Sequence, residues 1–411
     1  MATIKPFRAL RPREDVASRV AALPYDVYNR EEALEEIRKE PLSFLKIDRA
    51  ETNFPPNVGP EEPQVYQKAR HILQEMIADG IFLREGKPSF YIYELTMEGR
   101  AQTGLVACSS IDDYLQGVIK KHENTREDKE IDRINHVDIC NAQTGPIFLA
   151  YRAEETVNQV LNKVKQEKPI YDFTAPDDIR HRAWIIHQEE DIDKLIKAFS
   201  NIKDIYIADG HHRTASAVKV GLKRRQENPD YTGDEEFNTF LSVLFSHDEL
   251  LIMDYNRVVK DLNGLGKEEF LQEITKSYIV EKQGPSPYQP EEKGTFGMYL
   301  DGEWYKLIAR ESIRSSDPVE DLDVSLLQNH LLAPILGIED PRTDQRIDFV
   351  GGIRGLQELE KRANTDMKLA FALYPTSIEE LFAVADAGKL MPPKSTWFEP
   401  KLRSGLFIHE L

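Results

Sequence analysis

Only two cysteines, Cys108 and Cys140, occur in 411 residues. That is too few for a disulfide-stapled secreted scaffold, so both are expected as reduced thiols. Cys140 has no local histidine or cationic helix start to activate it, so it is not read as a nucleophile. No apolar run approaches the ~20 residues that cross a bilayer, and the opening MATIKPFRALRPRED has no apolar signal core. The expectation is a cytoplasmic protein without a membrane partner. Positive charge is also short: 53 Lys and Arg stand against 71 Asp and Glu, a formal net charge of −18. Such a surface repels nucleic acid unless a basic patch intervenes. The one candidate, LKRRQ at 222–226, is short and reads as the solvated face of a helix. There is no internal repeat and no low-complexity tract.

A chain of this length is long for one core, since domains usually span ~100–200 residues. Three regions are expected: an N-terminal α/β region over 1–110, a core over 111–262, and a C-terminal α/β region over 263–411. In the first, Asn29 is placed to cap a helix from Arg30 to Lys39, a strand is expected at PLSFLKI, and a second helix runs from Gln64 to Asp79 before Gly80. SFYIYELT and QTGLVACSSI read as paired strands. In the core, IFLAY, RAWIIHQ, DIYIA, NTFLSVLFS and LLIMDYN are strands between helical periods at 154–166, 191–200 and 212–226. The C-terminal region carries a hairpin turning at Asp301-Gly302 and a helix at 324–336. The fold class is α/β or α+β.

The stretch IYIADGHHRTASAVKVG, 205–221, concentrates chemistry. A strand ending at Ala208, then Asp209-Gly210, then a helix presents unbonded N–H groups and a dipole to an anion. Gly210 allows a sharp turn and close approach. Arg213 offers a planar fork for phosphate. His211 and His212 donate hydrogen bonds and titrate near neutrality, and Thr214 and Ser216 add hydroxyls. The bland alternative is a capped helix with structural histidines. Zinc is disfavoured, because adjacent histidines diverge and nothing completes a tetrahedral set.

A second polar knot lies upstream at VIKKHENTREDKEIDRINHVDI. Thr125, answered by Asp128, is expected to cap a helix whose Ile131, Ile134 and Val137 face a core, with Glu123 and Asn124 just outside its start. A carboxylate beside phosphates can take a hydroxyl proton or hold Mg²⁺. Weaker features are His181-Arg182, read as a surface pair, FVGGIRG with Arg354, read as a second anion turn, and MPPKSTWFEPK. That last stretch, with Lys394, Ser395, Thr396 and Lys401, reads equally as a lid, a dimer arm or a packed tail.

DGHHRTASA resembles the phosphate turn of the ParB and sulfiredoxin-like superfamily, most closely the form in its free-serine kinases. Over nearly its whole length the chain resembles a bacterial and archaeal family of unknown function, number 1015. PFRALRP (6–12), PYDV (24–27), KHENT (121–125), ADGHHRTASA (208–217), FVGGIRGL (349–356) and MPPKSTWFEPKLRSGL (391–406) carry that likeness. The resemblance implies a ParB/sulfiredoxin-like nucleotide-binding core elaborated at both ends. In the kinases an upstream His-Glu pair supplies the catalytic glutamate, and His122-Glu123 holds that place in chain order. ENTR at 123–126 also echoes a ParB motif that there follows the phosphate turn.

What the resemblance implies is a kinase using ATP or ADP with Mg²⁺ on a small hydroxyl compound, free L-serine first. Glu123 would act with His122, Asp209 and His211, and would also be the metal ligand. Gly210, His212, Arg213, Thr214, Asn124 and Thr125 would hold the nucleotide. The alternative is a ParB-type switch that binds ATP or CTP without an acceptor, and a nuclease is a third reading. A homodimer is left open.

Overall fold

Apolar runs, several of them buried along their whole length, build one mixed sheet of nine strands. The computed structural model describes residues 1–411, which form two compact units, 1–250 with 400–411, and 251–399. In the first unit the strands are β1 (Ile4–Lys5), β2 (Phe90–Met97), β3 (Arg100–Ser110), β4 (Ile119–Lys120), β5 (Ile147–Tyr151), β6 (Tyr171–Thr174), β7 (Arg180–Ile186), β8 (Ile205–Asp209) and β9 (Thr239–Ser246). Their order is β4-β8-β5-β9-β3-β2-β7-β6, with β1 beside β3. β8 runs parallel to β4 and antiparallel to β5, while β9 runs parallel to β5 and antiparallel to β3. The regions read as 1–110 and 111–262 are therefore interleaved in a single sheet. The segment 400–411, read as the end of the third region, belongs to this first unit.

Helix α1 (Arg30–Lys39) forms where the sequence places it. The Asn29 side chain accepts the Glu32 N–H at 2.9 Å, and Glu32 accepts the Asn29 N–H at 2.9 Å, a reciprocal cap worth ~0.5–2 kcal/mol. PLSFLKI is not a strand: Leu45–Asp48 is the short helix α2, with Phe44, Leu45 and Ile47 buried. A short apolar run does not distinguish a strand from a buried turn of helix. α2 packs with α3 (Pro63–Ala78), which buries Val65, Ala69, Ile72, Leu73 and Met76 in one cluster. Helices α5 (Glu155–Val164) and α6 (Glu189–Phe199) cover the sheet, packing Val157, Leu161, Leu195 and Phe199 on Leu149, Ile205 and Ile207.

The second unit holds a six-stranded antiparallel sheet of β10 (Tyr255–Val259), β11 (Tyr278–Gly284), β12 (Thr295–Leu300), β13 (Glu303–Ala309), β14 (Ile347–Gly351) and β15 (Leu369–Leu373). The hairpin between β12 and β13 turns at Asp301 and Gly302, with φ +51° and +81°, the positive pair that such a tight turn requires. The helix expected over 324–336 is shorter: α-helix spans Asp323–Leu327 and a π turn spans Gln328–Leu332.

Candidate phosphate turn and its acid loop

β8 ends in a bulge. Its register with β5 shifts between Ile207 and Asp209, and such an extra residue re-aims the side chain that follows. Asp209 is the last strand residue, Gly210 takes φ +96°, and helix α7 (His211–Glu227) begins at once. A left-handed glycine is needed there on two counts. An L side chain would be strained at that φ, and its Cβ would lie 3.1 Å from the Arg213 guanidinium. The first bond closing α7 is Thr214 N–H to Gly210 O at 2.9 Å, so the N–H groups of His211, His212 and Arg213 precede it.

Asp209 Oδ2 lies 3.2 Å from Lys401 Nζ. Desolvation would raise its pKa, but Lys401 and Arg213 prevail and hold the carboxyl well below the usual range. Arg213 is half-buried and donates to the Pro146 carbonyl at 2.6 Å. A pocket beside it is lined by Tyr25, Arg133, Thr144, Gly145 and Ser404.

Both histidines of the turn are acceptors. His211 Nε2 takes the His122 N–H at 3.4 Å, and His212 Nε2 takes the Arg126 N–H at 3.0 Å. A neutral imidazole that accepts at Nε2 carries its proton on Nδ1. His211 Nδ1 stands 3.9 Å from Glu123 Oε2, within reach of a bridging water. Burial, then the neighbouring His122, push His211 well below an ordinary histidine, and burial also lowers His212. His122 is pushed down to about 4 by burial, against the opposing pull of Asp209. Its ring meets that of His211 edge-on at 4.5 Å, it is 1% exposed, and its nitrogens make no well-formed hydrogen bond, while the Ile207 backbone adds a further upward pull on its pKa.

The chain thus brings His122, Glu123, Asp209, Gly210, His211, His212 and Arg213 together, and it adds Lys401. No periodicity marked Lys401, which reaches Asp209 across 192 positions of sequence. Other expectations are corrected. Thr125 does not cap the helix α4 (Glu127–Cys140): the cap position is Arg126, with no side-chain bond. The Thr125 hydroxyl donates to Glu130 and Asp128 pairs with Arg126, while Asn124 is exposed. Ile131 is exposed, and the buried face of α4 is Glu130, Arg133, His136 and Cys140.

Thr214 is fully buried, its hydroxyl donating to Gly210 O at 3.0 Å, so it props the turn from within. Ser216 donates to the carbonyls of Glu130 and His212. His181 is no surface residue: it is buried with its Nδ1 2.8 Å from the Tyr93 hydroxyl, and Arg182 pairs with Glu94.

In the second unit the turn at Arg354 holds an acid. The Gly352 N–H donates to Asp254 O at 2.8 Å, and a Cβ on Gly352 would strike the Asp254 carboxylate, which opposes an anion. Residues 394–397 pack within that unit, where Lys394 O accepts from Arg257 and Trp397 lies over Gly351. Both cysteines are buried free thiols, and burial pushes Cys140 up to about 12. No three His, Cys, Asp or Glu side chains converge as a metal cage, and no helix is long and apolar enough to cross a membrane.

Fold and site define a mixed α/β protein with a strand–glycine–helix turn facing the loop that carries Glu123. The chain belongs to the family of proteins of unknown function DUF1015, whose profile matches residues 4–325. No curated protein matches it significantly. Among solved structures it is similar to a free serine kinase in complex with AMP, at 15% identity and TM-score 0.35 over 72% of this chain and 86% of that one. It is similar to SbnI with C-terminal truncation from Staphylococcus aureus, at 11% and 0.37 over 72% and 82%. A conserved hypothetical protein from Pyrococcus furiosus matches at 14% and 0.33 over 73% and 93%.

Proposed function

We propose that this protein transfers a phosphoryl group from a nucleotide, ATP or ADP, to the hydroxyl of a small molecule. The observation that carries the reading is His211, which joins the two halves of the site: it opens helix α7 at the anion turn, and its ring accepts from His122 and faces Glu123. Phosphoryl transfer needs positioning and charge stabilisation above all. The free N–H groups of α7 and the Arg213 fork would hold the phosphates.

Glu123, oriented by His211 Nδ1–H, would take the proton of the acceptor hydroxyl. The acceptor oxygen then forms its bond to the terminal phosphorus as the bridging P–O bond breaks, and the shortened nucleotide leaves with that electron pair. Mg²⁺ keeps most of its water and binds through one or two carboxylates plus phosphate oxygens, a role that Asp209 suits without a closed protein cage while Glu123 is left to take the proton. When bound, it would neutralise phosphate charge.

Free L-serine is the first acceptor to test, because the DGHHR turn resembles that of free-serine kinases. The test is a ³¹P NMR screen of ATP, ADP and CTP with Mg²⁺ against hydroxyl amino acids and sugars. A new phosphomonoester resonance that requires one acceptor is the expected result. Nucleotide hydrolysis at the same rate with every acceptor would replace transfer with the ParB-type switch.

A further inference from the structure

We propose that Lys401 is a phosphate-binding residue of this site, supplied by the C-terminal segment, and that it exchanges Asp209 for the terminal phosphate of the bound nucleotide. The proposal rests on the nucleotide reading above and adds a residue beyond the 4–325 span matched by the family.

The segment is fixed, so the lysine is delivered and not loose. Backbone bonds tie Ser404 N–H to Ala22 O at 2.8 Å, Gly405 N–H to Thr144 O at 3.2 Å and Ile408 N–H to Leu10 O at 2.9 Å. Arg403 pairs with Asp177. Lys401 therefore reaches the turn from an anchored backbone only three residues before Ser404, and only its flexible stem needs to move.

At the turn one carboxylate, Asp209, faces two cations, Lys401 and Arg213. Those two cations stand beside the N–H groups that open α7 and the buried ring of His122, whose nitrogens make no well-formed hydrogen bond. Both features call for a ligand with acceptor oxygens. The Lys401–Asp209 pair leaves its side chains 21% and 33% exposed, and partly exposed pairs are weak enough to exchange for a better anion. Arg213 is anchored to Pro146 O, so it can fix a phosphate already seated. Lys401, a point charge on a long stem, suits the outermost one.

The experiment titrates AMP, ADP and ATP with Mg²⁺ into the full chain by calorimetry, for wild type, Lys401→Met and Lys401→Arg, with a thermal melt on each. Lys401→Met is expected to weaken ADP and ATP by about tenfold and AMP by less than about threefold, and Lys401→Arg to restore most of the loss. Lys401→Gln serves if the methionine variant melts early. Unchanged ATP affinity in a folded variant overturns the proposal and leaves nucleotide binding standing. Equal losses for AMP and ATP also overturn it, since they reveal a merely structural lysine. A wild-type chain that binds none of the three removes the nucleotide reading and this proposal together.

Discussion

His212 Nε2 accepts the backbone N–H of Arg126 at 3.0 Å, one of two imidazoles that pin the loop carrying Glu123 to the start of α7. His211 makes the other link, to the N–H of His122. The paired histidines therefore act as acceptors that need to be neutral, which is a different task from donating to phosphate.

Loss of the outer link should free the loop while sparing the turn. His212→Ala is expected to speed amide exchange of residues 122–126 by about tenfold or more and to leave ATP affinity within about threefold. A loop whose exchange is unaltered in that variant would show that other contacts hold it.

Acid should loosen this region. His122, His211 and His212 all titrate below the ordinary value of 6.5 in the folded chain, so the unfolded chain binds more protons under acid conditions. The stability held by their neutral forms is complete above about pH 6.5 and is lost as the pH falls through the lowered values, which for His122 lie at about 4. Chemical unfolding midpoints at about pH 7.5 and about pH 5 measure the gap. His122→Phe, which removes a buried imidazole without a well-formed hydrogen bond, is expected to narrow it. A gap of the same size would place the acid sensitivity elsewhere.

Arg213→Ala should weaken ATP, ADP and CTP by roughly tenfold or more, since a charge-assisted bond to phosphate is worth ~1.5–3 kcal/mol. Because Arg213 also holds Pro146 O, the melt of the variant is the necessary control. Unaltered affinity for all three nucleotides in a folded variant would remove the turn from the site.

Duplex DNA should not be a specific partner. With a formal net charge of −18, association releases few counterions, and any binding should be no tighter than the ~10⁻⁴–10⁻⁶ M of non-specific complexes at physiological salt. A filter-binding titration across salt concentrations checks this, and tight, salt-sensitive binding would favour the ParB-like reading.

Local chemistry was legible in the sequence wherever partners lie close along the chain. Asn29 and Glu32 are three residues apart, and their reciprocal cap forms as read. Asp301-Gly302 turns its hairpin, and the strand–glycine–helix at Asp209–His211 needs nothing beyond its own residues. Where partners are distant, pattern failed. Along α4 the isoleucines suggested an apolar face, yet Ile131 is exposed and Arg133 is buried beneath the Tyr25 ring at 3.9 Å, because long-range polar partners outweigh the local hydrophobic period. His181 looked like a surface residue for the same reason, since Tyr93 and Arg403 are remote in sequence. Lys401 was legible only as one polar residue of MPPKSTWFEPK, with no partner to give it a task, because its meaning is set by Asp209 and by the bonds that return the final residues to the first unit.

Glu123→Gln is the most direct test of the account, because it keeps the size of the side chain and removes the base. Transfer followed by ³¹P NMR should fall by ~10²–10⁴, the usual contribution of a general base, while ATP affinity measured calorimetrically with Mg²⁺ changes by less than about threefold. Full transfer activity in Glu123→Gln would contradict the account, and a collapse of binding along with rate would make Glu123 a metal ligand instead of the base.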